Sequence, residues 1–211
     1  VYDFVVKELT GALTNMSEAN DGTTYGRMNK WAALACLTRI YLNAEVYTGT
    51  AQWAKVVETA DQIINSGIFE LAKDFSDNFT PEMDYSNNKE VIFAVPYDRL
   101  YGGFHQQHKW YPPNARDHFG NYNDYFWGGS CANPQFINAY EEGDKRLEKT
   151  WIMGKRYKHD DPSVLVWEAI NYLPSLTCMR DGENKTHINW GYRVGKFVYD
   201  IETTGGWSND F

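Results

Sequence analysis

The feature that most constrains this chain is a run of helical periodicity that begins after Gly26 and is followed by a short apolar stretch. Apolar residues recur there at three- and four-residue intervals on both sides of a Thr-Gly-Thr break at 48–50. This spacing predicts two helices, the first capped by Asn29 and running to about Tyr47, the second capped by Thr50. Gly67 is expected to end the second helix in a left-handed conformation.

An earlier helix is predicted from Tyr2 to about Met16 by the same periodicity. The later helix pair spans about 38 residues, close to the tetratricopeptide period of about 34. We therefore expect a mainly α fold, a tetratricopeptide-like helical repeat scaffold with long looped insertions and a few short strands. The second helix of the pair shows one apolar stripe: Trp53, Val56, Val57, Ala60, Ile63 and Ile64.

Periodicity weakens after the helices. The stretch from Glu90 to Pro96 has the composition of a strand, as do Leu165–Ala169 and Lys196–Tyr199. Residues 135–151 predict a short helix, a turn and an apolar end, whereas 97–135 and 155–200 are largely loop. We expect a single incomplete domain over 1–211, with a helical scaffold at 1–87 and a strand- and loop-rich ligand-binding region at 88–211.

Composition excludes several classes of function. The formal net charge of −8 disfavours nucleic acid as a partner. Cys36, Cys131 and Cys178 lack the spacing of a zinc site or a disulfide framework, and Cys36 is expected to be a small core residue. The chain starts at Val1 without a signal peptide or lipid-attachment motif, so we expect an internal piece of a longer protein.

The strongest candidate site is an aromatic loop at 109–129, KWYPPNARDHFGNYNDYFWGG. A flat aromatic ring covers the apolar face of a sugar, while Asn, Asp or Arg side chains bind its hydroxyl edge. Each stack contributes about 2 kcal/mol before the cost of binding, so we expect weak, micromolar to millimolar affinity. The predicted carbohydrate-binding residues are Trp110, Tyr111, Arg116, Asn121, Tyr122, Asp124, Tyr125 and Trp127, with Asn123 as a further edge partner.

Other interpretations of these residues stay open. The rings of the loop would equally serve to pack it onto the scaffold. His105 and His108 have metal-ligand types but no third ligand nearby, which favours a solvated pair and no metal or other cofactor. Carboxylates at 141–142, with Asp144, and at 160–161 are candidates for an acid/base pair, but neighbours in sequence do not face each other across a substrate. Glu141 and Asp144 are instead expected to anchor a turn with Lys145 and Arg146.

The order of motifs resembles the SusD/RagB family. Its specific part runs from Gly26 to Phe93, and a second block lies between 136 and 146. The matching motifs are GRMNKWAA at 26–33, LTRIYL at 37–42, Trp53, Ile63-Ile64, Ser66-Gly67, Phe69, Leu71, Asn88 to Phe93, Phe136-Ile137, Tyr140-Glu141, Asp144-Lys-Arg146 and the final Ser208–Phe211.

This resemblance implies a non-catalytic protein at the surface of the bacterial outer membrane. It would bind an oligosaccharide or polysaccharide and deliver it to a SusC-like TonB-dependent transporter. Membrane association would then come only from a lipid anchor that this chain does not contain. The alternatives are an all-α glycoside hydrolase or lyase, a repeat scaffold that binds a protein or peptide, and a piece without a ligand site, the site then lying in segments outside this chain.

Overall fold

A computed structural model describes residues 1–80, 86–96, 110–120, 122, 126–128, 130–173 and 188–197. This part of the chain is mainly helical with a few short strands, as the sequence predicts. It forms two compact units. The described residues of the first are 1–78 and 86–96, and the remainder belong to the second. The first unit thus extends to Pro96, beyond the boundary expected at residue 87.

The first unit contains four α-helices among its described residues: α1 (Tyr2–Ala12), α2 (Lys30–Leu42), α3 (Ala44–Thr48) and α4 (Trp53–Ile64). A 3₁₀ turn, Leu13–Asn15, extends α1, and another covers Phe75–Phe79. The helix expected to reach Tyr47 is interrupted at Asn43, which separates α2 from α3.

Asn29 caps α2 as predicted. Its side-chain oxygen accepts a hydrogen bond from the Ala32 amide at 2.9 Å, and its side-chain nitrogen donates to the Ala19 carbonyl at 3.1 Å. Asn29 is only 2% exposed, so both bonds are shielded from water. The cap therefore joins the start of the helix to the polar loop before it.

The cap predicted for Thr50 is wrong. Helix α4 begins at Trp53, preceded by Gln52, whose side chain makes no capping bond. The Thr50 amide instead donates to the Thr48 hydroxyl at 3.2 Å, which closes a tight turn after α3. Gly67 does adopt the predicted left-handed conformation, with φ of +68°.

The core of the first unit lies between α2 and α4. Trp31, Leu34 and Ile63 are buried there, and Phe69 meets the Trp31 ring edge-on at 6.0 Å between centroids. Each large apolar side chain buried in this way contributes about 1.5–3 kcal/mol. The Thr38 and Thr59 hydroxyl oxygens lie 2.8 Å apart and join the two helices beside that core.

The apolar stripe of α4 is only partly covered. Ile63 is buried, whereas Trp53, Val57 and Ile64 are each more than half exposed. Cys36 is also exposed, which corrects its expected place in the core. Periodicity identifies a helix and its apolar face, but the neighbouring helix determines which line of that face is covered.

The strand predicted between Glu90 and Pro96 does not form. No described strand pairs with it, and an isolated extended segment has no ladder of backbone hydrogen bonds to stabilise it. Ile92 packs instead against the Trp31 core. The Glu90 carboxylate accepts hydrogen bonds from the Ala72 amide and the Asn78 side chain, both at 2.9 Å.

The second unit contains three short helices and two small antiparallel sheets among its described residues. The helices are α5 (Ala115–Phe119), α6 (Pro134–Ile137) and α7 (Lys145–Thr150). Strand β1 (Trp151–Ile152) pairs with β4 (Arg193–Val194), and β2 (Gly154–Tyr157) pairs with β3 (Leu165–Ala169). The β3 prediction is confirmed. The strand expected at Lys196–Tyr199 is not seen at residues 196–197, and its remainder lies outside the described residues.

We expect replacement of Asn29 by Ala to lower the free energy of unfolding by about 1–2 kcal/mol, because it removes a buried helix cap. Urea denaturation measures this change. Asn15, an exposed residue of the same type, is the matched control, and its replacement by Ala should cost less than about 0.5 kcal/mol. Equal costs for the two variants would contradict the role given to Asn29.

Candidate functional site

The aromatic segment between 110 and 128 divides into rings that face the core and rings that face solvent. Tyr111 and Phe126 are buried, with exposed fractions of 2% and 1%. Tyr122 and Trp127 are about half exposed, at 49% and 51%. Composition alone treats these four rings alike, whereas the fold assigns them to two different environments.

Tyr111 corrects the sequence-based list of ligand contacts. Its ring packs edge-on against Phe119 and Phe126, at 5.0 and 5.4 Å between centroids, in a core that also contains Trp167. Burial raises the pKa of the Tyr111 hydroxyl well above its usual range. A ring enclosed in this way has no free face for a sugar, so Tyr111 anchors the segment and does not bind ligand.

Trp127 projects from a backbone that is held on both sides. Phe126, just before it, is buried in the core, and the Gly128 amide, just after it, donates to the Tyr111 carbonyl at 2.8 Å. Gly128 has φ of +70°, and a Cβ there would lie 3.1 Å from the Pro113 ring. Only glycine fits this turn without strain. The exposed indole therefore stands on a rigid base.

Arg193 supports the same turn from β4. Its Nη1 donates to the Ser130 carbonyl at 2.7 Å and to the Gly128 carbonyl at 3.3 Å. Sequence reasoning missed this residue, because a single arginine in a short apolar strand carries no local signal for a contact so far along the chain.

Tyr122 lies near a charged pair from another part of the chain. Lys158 Nζ is 2.8 Å from Asp160 Oδ1, and the hydrogen bond from Lys158 is the main cause that lowers the pKa of Asp160 below its usual value. The Tyr122 hydroxyl makes a smaller contribution in the same direction. Spacing along the sequence gives no sign that these residues lie near one another.

Arg116 and Trp110 occupy different settings. Half of the Arg116 side chain is exposed, and its guanidinium lies 3.7 Å from the Asp117 carboxylate. The Trp110 ring is half-buried and stacks on Phe197, with 6.2 Å between centroids and 29° between planes. Arg116 is thus available to a hydroxyl group, whereas one face of Trp110 is covered by protein.

Several predicted residues lie outside the described part of the chain. They are Asn121, Asn123, Asp124 and Tyr125 of the aromatic segment, and the histidines at 105 and 108. Their roles stay predictions.

His118 joins α5 to the β2–β3 sheet beneath the aromatic segment. Its ring meets Trp167 edge-on at 5.3 Å, and its Nδ1 lies 2.7 Å from the Tyr157 carbonyl. Burial lowers the pKa of His118, so the ring is neutral at neutral pH and Nδ1 carries the proton that this carbonyl accepts. The ring is therefore a packing element that orients α5.

Three of the acidic candidates, Asp144, Asp160 and Asp161, have structural partners. Asp144 caps α7 by accepting from the Arg146 amide at 2.9 Å, and its carboxylate pairs with the Arg146 guanidinium at 2.6 Å. The expected partnership of Asp144 with Arg146 is thus present, at the start of a helix. Asp161 accepts from the Ser163 amide at 3.0 Å. The described residues contain no group of three potential metal-binding side chains. Within the same residues, no helix is long and apolar enough to span a bilayer.

We expect replacement of Tyr111 by Ala to lower the free energy of unfolding by about 3–5 kcal/mol, because it leaves a cavity among buried rings. Replacement of Trp127 by Ala should cost about 1 kcal/mol or less, since half of that ring is already in water. Chemical denaturation followed by circular dichroism gives both values. A larger cost at Trp127 than at Tyr111 would contradict the assignment of inner and outer rings.

The Asp160 contacts predict a titration. Replacing Lys158 by Met should raise the pKa of Asp160 toward its ordinary value, because the main hydrogen bond to the charged carboxylate is lost. Carboxyl-carbon NMR titration measures that pKa directly. The pKa of Asp144, which is lowered mainly by Arg146, should not change in this variant. An unchanged pKa of Asp160 in this variant would show that Lys158 does not form this hydrogen bond in solution.

Comparison with known proteins begins with sequence. No protein-family model matches the chain. The starch-binding protein SusD of Bacteroides thetaiotaomicron is 33% identical to it over 109 residues, which cover 49% of this chain and 19% of that protein.

Comparison with solved structures covers nearly the whole chain. A SusD superfamily protein from Parabacteroides distasonis superposes with a TM-score of 0.69 at 19% identity, covering 98% of this chain and 41% of that one. Surface glycan-binding protein A from Bacteroides thetaiotaomicron, solved with laminarihexaose, superposes with a TM-score of 0.62 at 16% identity, covering 99% and 45%. This chain spans less than half the length of each of these three proteins. At such identities the structural likeness shows that the chain shares the fold of these SusD-like proteins, and the sequence similarity to SusD is confined to about half of the chain.

Proposed function

We propose that this chain is part of a non-catalytic glycan-binding protein, and that its second unit binds an oligosaccharide or polysaccharide through Trp127 and Tyr122. The observation that carries the proposal is the exposed Trp127 indole on a rigid, buried base. Leaving half of a large ring in water forgoes part of its hydrophobic stabilisation, which a ligand's apolar face restores on binding.

Sugar rings match these side chains chemically. A pyranose offers an apolar C–H face to an indole or a phenol ring and a hydroxyl edge to charged groups. Trp127 stands on a hydrogen-bonded backbone, and Arg116 has an exposed guanidinium. Restrained groups lose less freedom on binding, so more of the interaction energy appears as affinity.

The expected affinity is modest. Two stacked rings contribute about 4 kcal/mol at about 25 cal/mol per Å². The loss of translational and rotational freedom costs at least about 4 kcal/mol, so hydrogen bonds to hydroxyl groups must supply the net binding energy. Micromolar to millimolar dissociation constants follow, and they permit release of the glycan to a second protein.

The relatives support a glycan as the ligand class. SusD is named for starch binding, and surface glycan-binding protein A was solved with laminarihexaose. Both ligands are glucose polymers or oligomers, joined by different linkages. We therefore propose a glucan-like glycan as the first ligand to test, without choosing the linkage.

The helical unit has a different proposed role. We suggest that α2 and α4 are one pair of a tetratricopeptide-like repeat that serves as scaffold. The whole protein would be attached to the surface of the outer membrane by a lipid anchor. It would deliver its bound glycan to a SusC-like TonB-dependent transporter. Family resemblance is the support for this setting.

The direct test is affinity electrophoresis and calorimetry with soluble starch and laminarihexaose. Replacing Trp127 by Ala should weaken binding of the retained glycan by about 10- to 30-fold, the factor that corresponds to losing one stacked ring. Replacing Trp53 by Ala is the matched control, because that indole is 54% exposed but lies on α4 of the first unit. The Trp53→Ala variant should bind the glycan with the same affinity as the unchanged chain.

Other outcomes would favour the alternative functions. Release of shorter sugars from either glycan would identify a hydrolase or lyase. No retention by either glycan, with loss of a protein partner on replacing Trp53, would favour a repeat scaffold. If the glycan still retains the protein to the same degree after both Trp127 and Tyr122 are replaced by Ala, the binding site lies elsewhere.

A further inference from the structure

Arg193 is a buried cation with no acidic partner among the described residues. It lies in β4 opposite Ile152 of β1 and is 4% exposed. None of the described ion pairs includes it. Burial lowers the pKa of Arg193, yet a guanidinium remains protonated at neutral pH. The second unit therefore contains a positive charge that no described carboxylate neutralises.

The hydrogen bonds of Arg193 converge on the backbone that follows Trp127. Nη1 donates to the carbonyls of Gly128 and Ser130, while Nε is buried without a hydrogen-bond partner among the described residues. The Arg193 side chain thus links the carbonyls of Gly128 and Ser130 to strand β4, more than 60 residues further along the sequence.

Global stability does not account for a residue of this kind. Burying a charge is costly, and apolar residues of similar size at such positions often give an equally or more stable protein. An unsatisfied Nε adds to the cost. What Arg193 provides, and an apolar residue would not, is a fixed position for the carbonyls of Gly128 and Ser130.

Neighbouring bonds complete the support of this segment. The Gly128 amide is bonded to the Tyr111 carbonyl at 2.8 Å, and the Ala132 amide to the Tyr192 carbonyl at 2.7 Å. Arg193 acts between these two points.

We infer that Arg193 is a positioning residue of the glycan site, which holds the carbonyls of Gly128 and Ser130 so that the Trp127 ring stays presented to ligand. This inference rests on the proposed function for its effect on affinity. The mechanical part, that Arg193 restrains the turn, stands independently of any ligand. Arg193 itself is enclosed and is not expected to touch the sugar.

The test replaces Arg193 by Met in the full chain. Exchange of the Gly128 amide hydrogen, measured by NMR, should become at least about tenfold faster, because the turn opens more often. The midpoint of thermal unfolding should stay within a few degrees of the original, since an apolar side chain fills the same space. Affinity for laminarihexaose or starch, whichever the unchanged chain retains, should fall about 3- to 10-fold.

Two comparisons separate positioning from simple destabilisation. In a Trp127→Ala background, Arg193→Met should have no further effect on affinity, because the ring that it positions is absent. Arg193→Lys, which keeps a donor but is shorter, should give intermediate exchange and affinity. Arg146→Met removes an exposed arginine of the same unit and should change neither property.

The outcomes are distinguishable. Unchanged Gly128 exchange, or loss of the whole fold in Arg193→Met and Arg193→Lys alike, would overturn the inference. So would faster exchange with unchanged affinity in a protein whose binding depends on Trp127. If Trp127→Ala itself leaves affinity unchanged, the proposed glycan site fails, while Gly128 exchange still decides whether Arg193 restrains the turn.

Discussion

The packing of Tyr111 and Phe126 against Trp167 is the interaction on which the candidate site depends. These buried rings anchor an irregular segment that has little regular secondary structure of its own. Anchoring fixes which rings remain outside: Tyr122 and Trp127 are half exposed because their neighbours already fill the core. The proposed binding surface is thus a consequence of the core, so a change in the core is expected to change that surface as well.

Rigidity has a physical purpose in a weak binder. A sugar gains little from each ring and each hydroxyl contact, so the cost of ordering the protein would remove most of the affinity. In the proposed site, that cost would already be met during folding. Backbone hydrogen bonds, a glycine with positive φ and a buried guanidinium restrain the backbone beside Trp127.

Local features of the fold could be predicted from the sequence, and long-range ones could not. The helices and the Asn29 cap depend on residues three or four positions apart, which the sequence displays directly. The prediction of a strand near Glu90 was wrong because a strand requires a partner, and strand-like composition does not supply one. The burial of Tyr111 could not be predicted for a similar reason, since it depends on Phe119 and Phe126 packing around that ring.

The most direct measurement of the central claim uses the tryptophan indole N–H signals in NMR, assigned by single substitutions, during titration with laminarihexaose and with starch oligosaccharides. We expect the Trp127 signal to shift on glycan binding, because its ring contacts the sugar in the proposed site. The signal of Trp167, which is 1% exposed, should stay in place. Glycan binding that leaves the Trp127 indole signal unshifted would contradict the proposed role of Trp127 in binding.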